Sequence, residues 1–93
     1  MFAIAFDLVI KDLKANYGEP YNNAYYEISS LMERFGFYWT QGSVYVSDKT
    51  DFSNLVRAMN ALKAIPWFAN SVRDIRAFRV ENWSDFTQFM KEK

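Results

Sequence analysis

Apolar and polar positions alternate from the first residues. In MFAIAFDLVI, Phe2, Ile4, Phe6 and Leu8 fall on one side of an extended strand, and Ala3, Ala5, Asp7 and Val9 on the other. The first set predicts a core face on a strand from Phe2 to Val9. Asp7 is the only charge in that run. A carboxylate taken out of water costs free energy unless it is paired, protonated or used, so its place in an apolar strand calls for a partner or a task.

The period then changes. Lys11 to Gly18 is polar and irregular and predicts a loop, with Gly18 and Pro20 marking a helix entrance. Tyr21, Ala24, Tyr25, Ile28, Leu31, Met32 and Phe35 recur at the three-four spacing of one buried helix face, which Gly36 ends as a C-cap. Phe37 to Thr40 and Ser43 to Ser47 predict two short strands joined by a tight turn at Gln41-Gly42. Asp48 or Thr50 is placed to cap a second helix with the stripe Phe52, Leu55, Val56, Met59, Leu62 and Ile65, which Pro66 stops. Trp67 to Ser71 reads as a short helical turn or loop and Val72 to Glu81 as a long last strand. Ser84 then caps a final short helix in SDFTQFM.

Strand, helix, strand, strand, helix, strand is the split βαβ order of an α+β ferredoxin-like fold, βαββαβ. It predicts a four-stranded antiparallel sheet with two helices on one face and a short C-terminal helix or tail. The other face is then open. Ala3, Ala5, Tyr45 and Arg-bearing positions on it would make a dimer surface or a ligand platform. No repeat, linker or low-complexity segment interrupts the chain, and 93 residues suit a single domain over 1–93.

Composition narrows the chemistry. With 51% apolar residues and nine Phe, large rings can build the core without staples. The absence of Cys removes disulfides and thiolate metal sites, and fits the cytoplasm. The absence of His removes imidazole acid/base chemistry. Any catalyst must then use carboxylates, hydroxyls, Lys, Arg or a borrowed metal. Net charge is zero, against the broad basic footprint of a strong nucleic-acid binder, although local patches can still hold phosphate. The opening apolar run has no basic region before it and is too short to span a bilayer, so no membrane or secretory role is expected.

Asp7 has two readings. Three of the five Arg, Arg73, Arg76 and Arg79, sit in the last strand, which neighbours the first strand in this fold, so a salt bridge is the plain expectation. In the functional reading the same Arg side chains hold a phosphate while Asp7 acts as base or metal ligand. Strict alternation puts Arg73, Ile75, Ala77 and Arg79 on one side and Val72, Asp74, Arg76, Phe78 and Val80 on the other, a mixed pattern that suits an interface or a charge-protected edge. The turn Thr40-Gln41-Gly42-Ser43 can contact ribose or phosphate, though turn chemistry alone explains it as well, and Tyr38, Trp39 and Tyr45 can stack on bases, though aromatics in strands are more often core than platform. No glycine-rich phosphate loop, nucleophile elbow or metal-ligand spacing is present.

Three segments, AIAFDLVIK, FGFYWTQGSVYV and SVRDIRAFRVENWSDFT, are similar to the virulence-associated protein D (VapD) family, over nearly the whole chain. That family resembles in fold the small CRISPR-associated nuclease of spacer acquisition. The resemblance implies a homodimeric endoribonuclease acting on RNA, and for some members the toxin half of a toxin–antitoxin pair. It implies a catalytic role for Asp7 and, with weaker support, for Ser43, and phosphate contacts for Arg73 and Arg76. Without His, Asp7 would act as general base with its pKa raised by burial, or two Asp7 at a dimer axis would share a Mg²⁺ or Mn²⁺ ion. The competing class is a non-catalytic dimeric module binding RNA or a small molecule. SVYVS lacks the basic-aromatic signature of an RNA-recognition strand.

Overall fold

A computed structural model of the chain describes residues 1–49 and 51–92. Its elements are β1 (Phe2–Leu8), α1 (Ile10–Asn16), α2 (Asn22–Arg34), β2 (Tyr38–Gln41), β3 (Val44–Ser47), α3 (Phe52–Lys63), α4 (Pro66–Ala69), β4 (Val72–Arg79) and α5 (Thr87–Lys91). The strands form one antiparallel sheet in the order β2-β3-β1-β4. This is the ferredoxin-like α+β arrangement that the hydrophobic pattern predicts.

Phe2, Ile4, Phe6 and Leu8 of β1 are buried beneath Ala24, Ile28 and Met32 of α2 and Leu55, Ala58 and Leu62 of α3. Fully burying side chains of this size stabilises the fold by about 1.5–3 kcal/mol each. α2 ends as its sequence predicts. Gly36 takes φ 77°, its N–H donates to Glu33 O, and the Phe37 N–H donates to Met32 O at 3.0 Å, the paired bonds of a Schellman cap.

Several local expectations change. Residues 11–16 belong to helix α1 and not to a loop, because Lys11, Leu13, Lys14 and Ala15 are good helix formers and Leu13 is fully buried against the core. One buried anchor makes no stripe, so the pattern looked irregular. The hairpin turn is Gly42-Ser43, one residue later than expected. A bulge between Trp39 and Gln41 adds Thr40 to β2, and Gly42, with φ 50°, occupies the first loop position, where a type II′ turn needs glycine. Asp51, not Asp48, caps α3: its Oδ1 accepts from the Ser53 N–H at 2.9 Å and from Ser53 Oγ at 2.7 Å, bonds that hold the carboxyl below its ordinary pKa. Thr50, the other expected cap, lies outside the described residues.

On α3, Phe52 and Val56 stand exposed while Ala58 takes a core position, so the buried stripe is rotated toward the small residue that hydropathy undervalues. β4 ends at Arg79 rather than Glu81, and at α5 the Thr87 N–H donates to Asp85 at 2.8 Å, leaving Ser84 without the capping role. Tyr45 pairs with Ile4 and is buried beneath the helices, so it is not on the open face. That face carries Ala3, Ala5, Asp7, Tyr38, Val44, Val46, Asp74, Arg76 and Phe78, by the register of the ladders.

α1 is pinned to the end of β1 through Leu13. Leu13→Ala should therefore cost about 2–5 kcal/mol of stability, read as a lower urea midpoint with an unchanged slope.

Candidate active site

Asp7 lies one residue before the end of β1, facing the open side of the sheet. Its side chain is 61% exposed, so the burial expected of it is absent in the single chain. On this side of β1, Ala3 is buried and Ala5 half-buried, and exposure reaches the strand at Asp7. The last strand supplies its counterion: Arg73 Nη1 is 3.5 Å from Asp7 Oδ2. Strict alternation would send Arg73 to the helix side. The ladder between β1 and β4 slips there, pairing Asp7 with Asp74 but Leu8 with Val72, so Arg73 is the extra residue of a bulge and its guanidinium reaches Asp7.

Asp74 stands directly opposite Asp7, and Arg76 Nη2 is 3.9 Å from Asp74 Oδ2. Like charges opposite one another destabilise a ladder, and exposed ion pairs contribute only about 0–1 kcal/mol. Stability therefore gives no reason to gather these four charges. What they offer is chemistry: two guanidinium forks suited to phosphate, beside two carboxylates, all open to solvent. Arg79 lies apart, with its guanidinium over the Phe2 ring at 5.6 Å from the centroid.

Ser43 is brought to the same end of the sheet by backbone. Its carbonyl accepts from the Phe6 N–H at 3.1 Å, which sets the Gly42-Ser43 turn beside Asp7. By alternation its side chain falls with Tyr45 and Ser47 on the helix side, not on the face that Asp7 shares. Asp74 and Tyr25 also lie at this end of the molecule, and residue type marks neither as a site residue. Register alone reveals Asp74. Tyr25, on the cleft beside Gly42, has its phenol pKa pushed up chiefly by burial.

Two carboxylates are hard oxygen donors of the kind that Mg²⁺ and Mn²⁺ accept. Each already faces a guanidinium, and among the described residues no three His, Cys, Asp or Glu side chains gather. The residues of one chain therefore do not by themselves fit a divalent ion. No helix among the described residues is long and apolar enough to cross a membrane.

Residues 1–88 match the family model described as CRISPR associated protein Cas2. The chain is 58% identical to "Endoribonuclease VapD 1" of Riemerella anatipestifer over 92% of this chain and 97% of that protein. It is 57% identical to "Endoribonuclease VapD" of Dichelobacter nodosus over 98% of each chain. With "Endoribonuclease VapD" of Helicobacter pylori it shares 54% identity over 98% of this chain and 99% of the relative. A fold of this topology, matched along almost its full length on both sides, places the chain in the Cas2 family, among the VapD proteins.

Proposed function

We propose that this chain is a one-domain endoribonuclease that cuts single-stranded or loop RNA, with Asp7 as the general base. The observation that carries the reading is the exposed Asp7 carboxylate with the Arg73 guanidinium 3.5 Å away, at the open end of the sheet. The names of its relatives supply the substrate class.

In this reading Asp7 takes the proton of a ribose 2′-OH, and the 2′-oxygen attacks the adjacent phosphorus. Arg73 leaves Asp7 for the phosphate as negative charge builds on its oxygens, and Arg76 turns to it from Asp74. The bond to the 5′-oxygen breaks, leaving a 2′,3′-cyclic phosphate on one fragment, while the departing oxygen takes a proton from water. Ser43, at the turn, contributes a weaker polar contact to the sugar or phosphate.

The same reading makes the protein a homodimer. Phe78 on the open face and Trp83, Phe86, Phe89 and Met90 beyond β4 are exposed apolar side chains that a second copy would cover. The resemblance to VapD supports a cytoplasmic, toxin-type or virulence-associated role with a protein antitoxin as partner.

A 2′-deoxy residue at the scissile position should abolish cleavage, and dialysis against EDTA should leave it unchanged. Product ends on a sequencing gel check both. Loss of activity in EDTA, restored by Mg²⁺ or Mn²⁺, would replace this route with one in which the Asp7 carboxylates of two protomers hold the ion that supplies an activated water.

A further inference from the structure

Beside the catalytic end of the sheet, on its helix side, α2 and the β2-β3 hairpin enclose a cleft of about 360 Å³. That volume lies at the lower end of the range of small-ligand sites, room for one planar heterocycle. Its walls are aromatic. Tyr45 forms the floor, buried and fixed by a 2.9 Å hydrogen bond between its hydroxyl and Ser29 Oγ. Trp39 is 60% exposed, yet its indole is held: the Nε1–H donates to the Gly42 carbonyl at 2.7 Å. Tyr25 and Tyr26 rise from α2 on the other side. Phe6 of the core stacks on Tyr45 and meets Phe68 edge-on, but among the described residues none of Trp39, Tyr25 and Tyr26 has a ring partner. Trp39 and Tyr26 are exposed and able to stack on something else, while Tyr25 packs partly against the core. Asn22, at the rim, adds a carboxamide able to donate and accept.

The cleft and the charged cluster share one boundary. Gly42 lines the cleft, and the Gly42-Ser43 turn is bonded to β1 at Phe6, next to Asp7. A β-carbon built on Gly42 would meet no atom within 4 Å, so the turn's outer surface is open for a chain to cross.

We propose that this cleft is a nucleobase subsite. Resting on the nuclease reading above, it takes one base of the RNA flanking the cut, with the sugar-phosphate passing over the Gly42-Ser43 turn to Asp7 and Arg73. Trp39 stacks on the base and Asn22 meets its edge. Unstacked bases held on aromatic faces are the usual currency of single-strand recognition, so this subsite restricts cleavage to RNA whose bases are free.

The test pairs Trp39→Ala with RNAs carrying an abasic residue at each position around the cut. Wild type should lose about ten- to a hundred-fold in kcat/KM at one abasic position. Trp39→Ala should lose the same amount on intact RNA and be indifferent to that abasic change, because one contact cannot be lost twice. Trp39→Phe, which keeps a ring but not the N–H, should retain most activity, separating stacking from support of the turn. Independent, multiplying losses, or a Trp39→Ala protein as active as wild type, would overturn the subsite. A second measurement needs no cleavage: the Trp39 indole N–H resonance, assigned by its disappearance in Trp39→Phe, should shift with a nucleoside 5′-monophosphate and not with ribose 5-phosphate. A base-dependent shift in a protein that leaves RNA intact would uphold the cleft and refute the nuclease reading. An unmoved resonance in a protein that cuts RNA would refute the cleft alone.

Discussion

Asp7→Asn should lower RNA cleavage by about 10²–10⁴-fold, the usual contribution of a general base, while the protein stays folded and keeps the wild-type mass in solution. The carboxamide has the same shape as the carboxylate but cannot take the 2′-OH proton. Stability should hardly move, since the side chain is 61% exposed and its ion pair with Arg73 is worth about 0–1 kcal/mol. Removing the charge also relieves its repulsion with Asp74 across the ladder. Cleavage rates beside thermal unfolding and light-scattering mass check all three expectations. Near-normal activity in the variant would remove Asp7 from the chemistry.

Arg73→Ala should lower kcat by about 10²–10³-fold, the effect of deleting one donor to developing transition-state charge. The bulge that holds Arg73 against Asp7 in the free protein also leaves it 63% exposed, able to swing to a phosphate when RNA arrives. Arg73→Lys should recover only part of the loss, because an ammonium cannot form the bidentate fork. In the Asp7→Asn background, where RNA is bound but not cut, removing Arg73 should reduce the slope of log K against log salt by about 0.7, the value for one contact to a single strand. A Lys variant equal to wild type, or an unchanged salt slope, would make Arg73 a structural partner of Asp7 only.

Much of this was legible in the alternation and three-four spacing of strongly apolar residues. β1 and α2 follow from Phe2, Ile4, Phe6 and Leu8 and from Ala24, Ile28 and Met32, where burial is frequent enough to print a period. α1 escaped because its burial rests on Leu13 alone. The pairing of Asp7 with an Arg of the last strand followed from topology, but which Arg did not. Alternation sends Arg73 to the wrong face, and only the bulge at Asp7 and Leu8 corrects it. Bulges at Thr40 and Arg73 are decided by the pairing of strands, not by residue type, so the turn at Gly42-Ser43 and the carboxylate facing Asp74 emerge only with the register. The aromatic cleft hid for a related reason. Tyr25 reads as part of a core stripe and Tyr45 as an open-face residue until Ile4 fixes its side.

The most direct measurement incubates purified wild-type protein and Asp7→Asn with the same end-labelled single-stranded RNA and resolves each reaction on native and denaturing gels. Wild type should shorten the RNA, and the variant should only retard it. Wild-type protein that retards the RNA and leaves its length unchanged would contradict the account and make this chain a binding module.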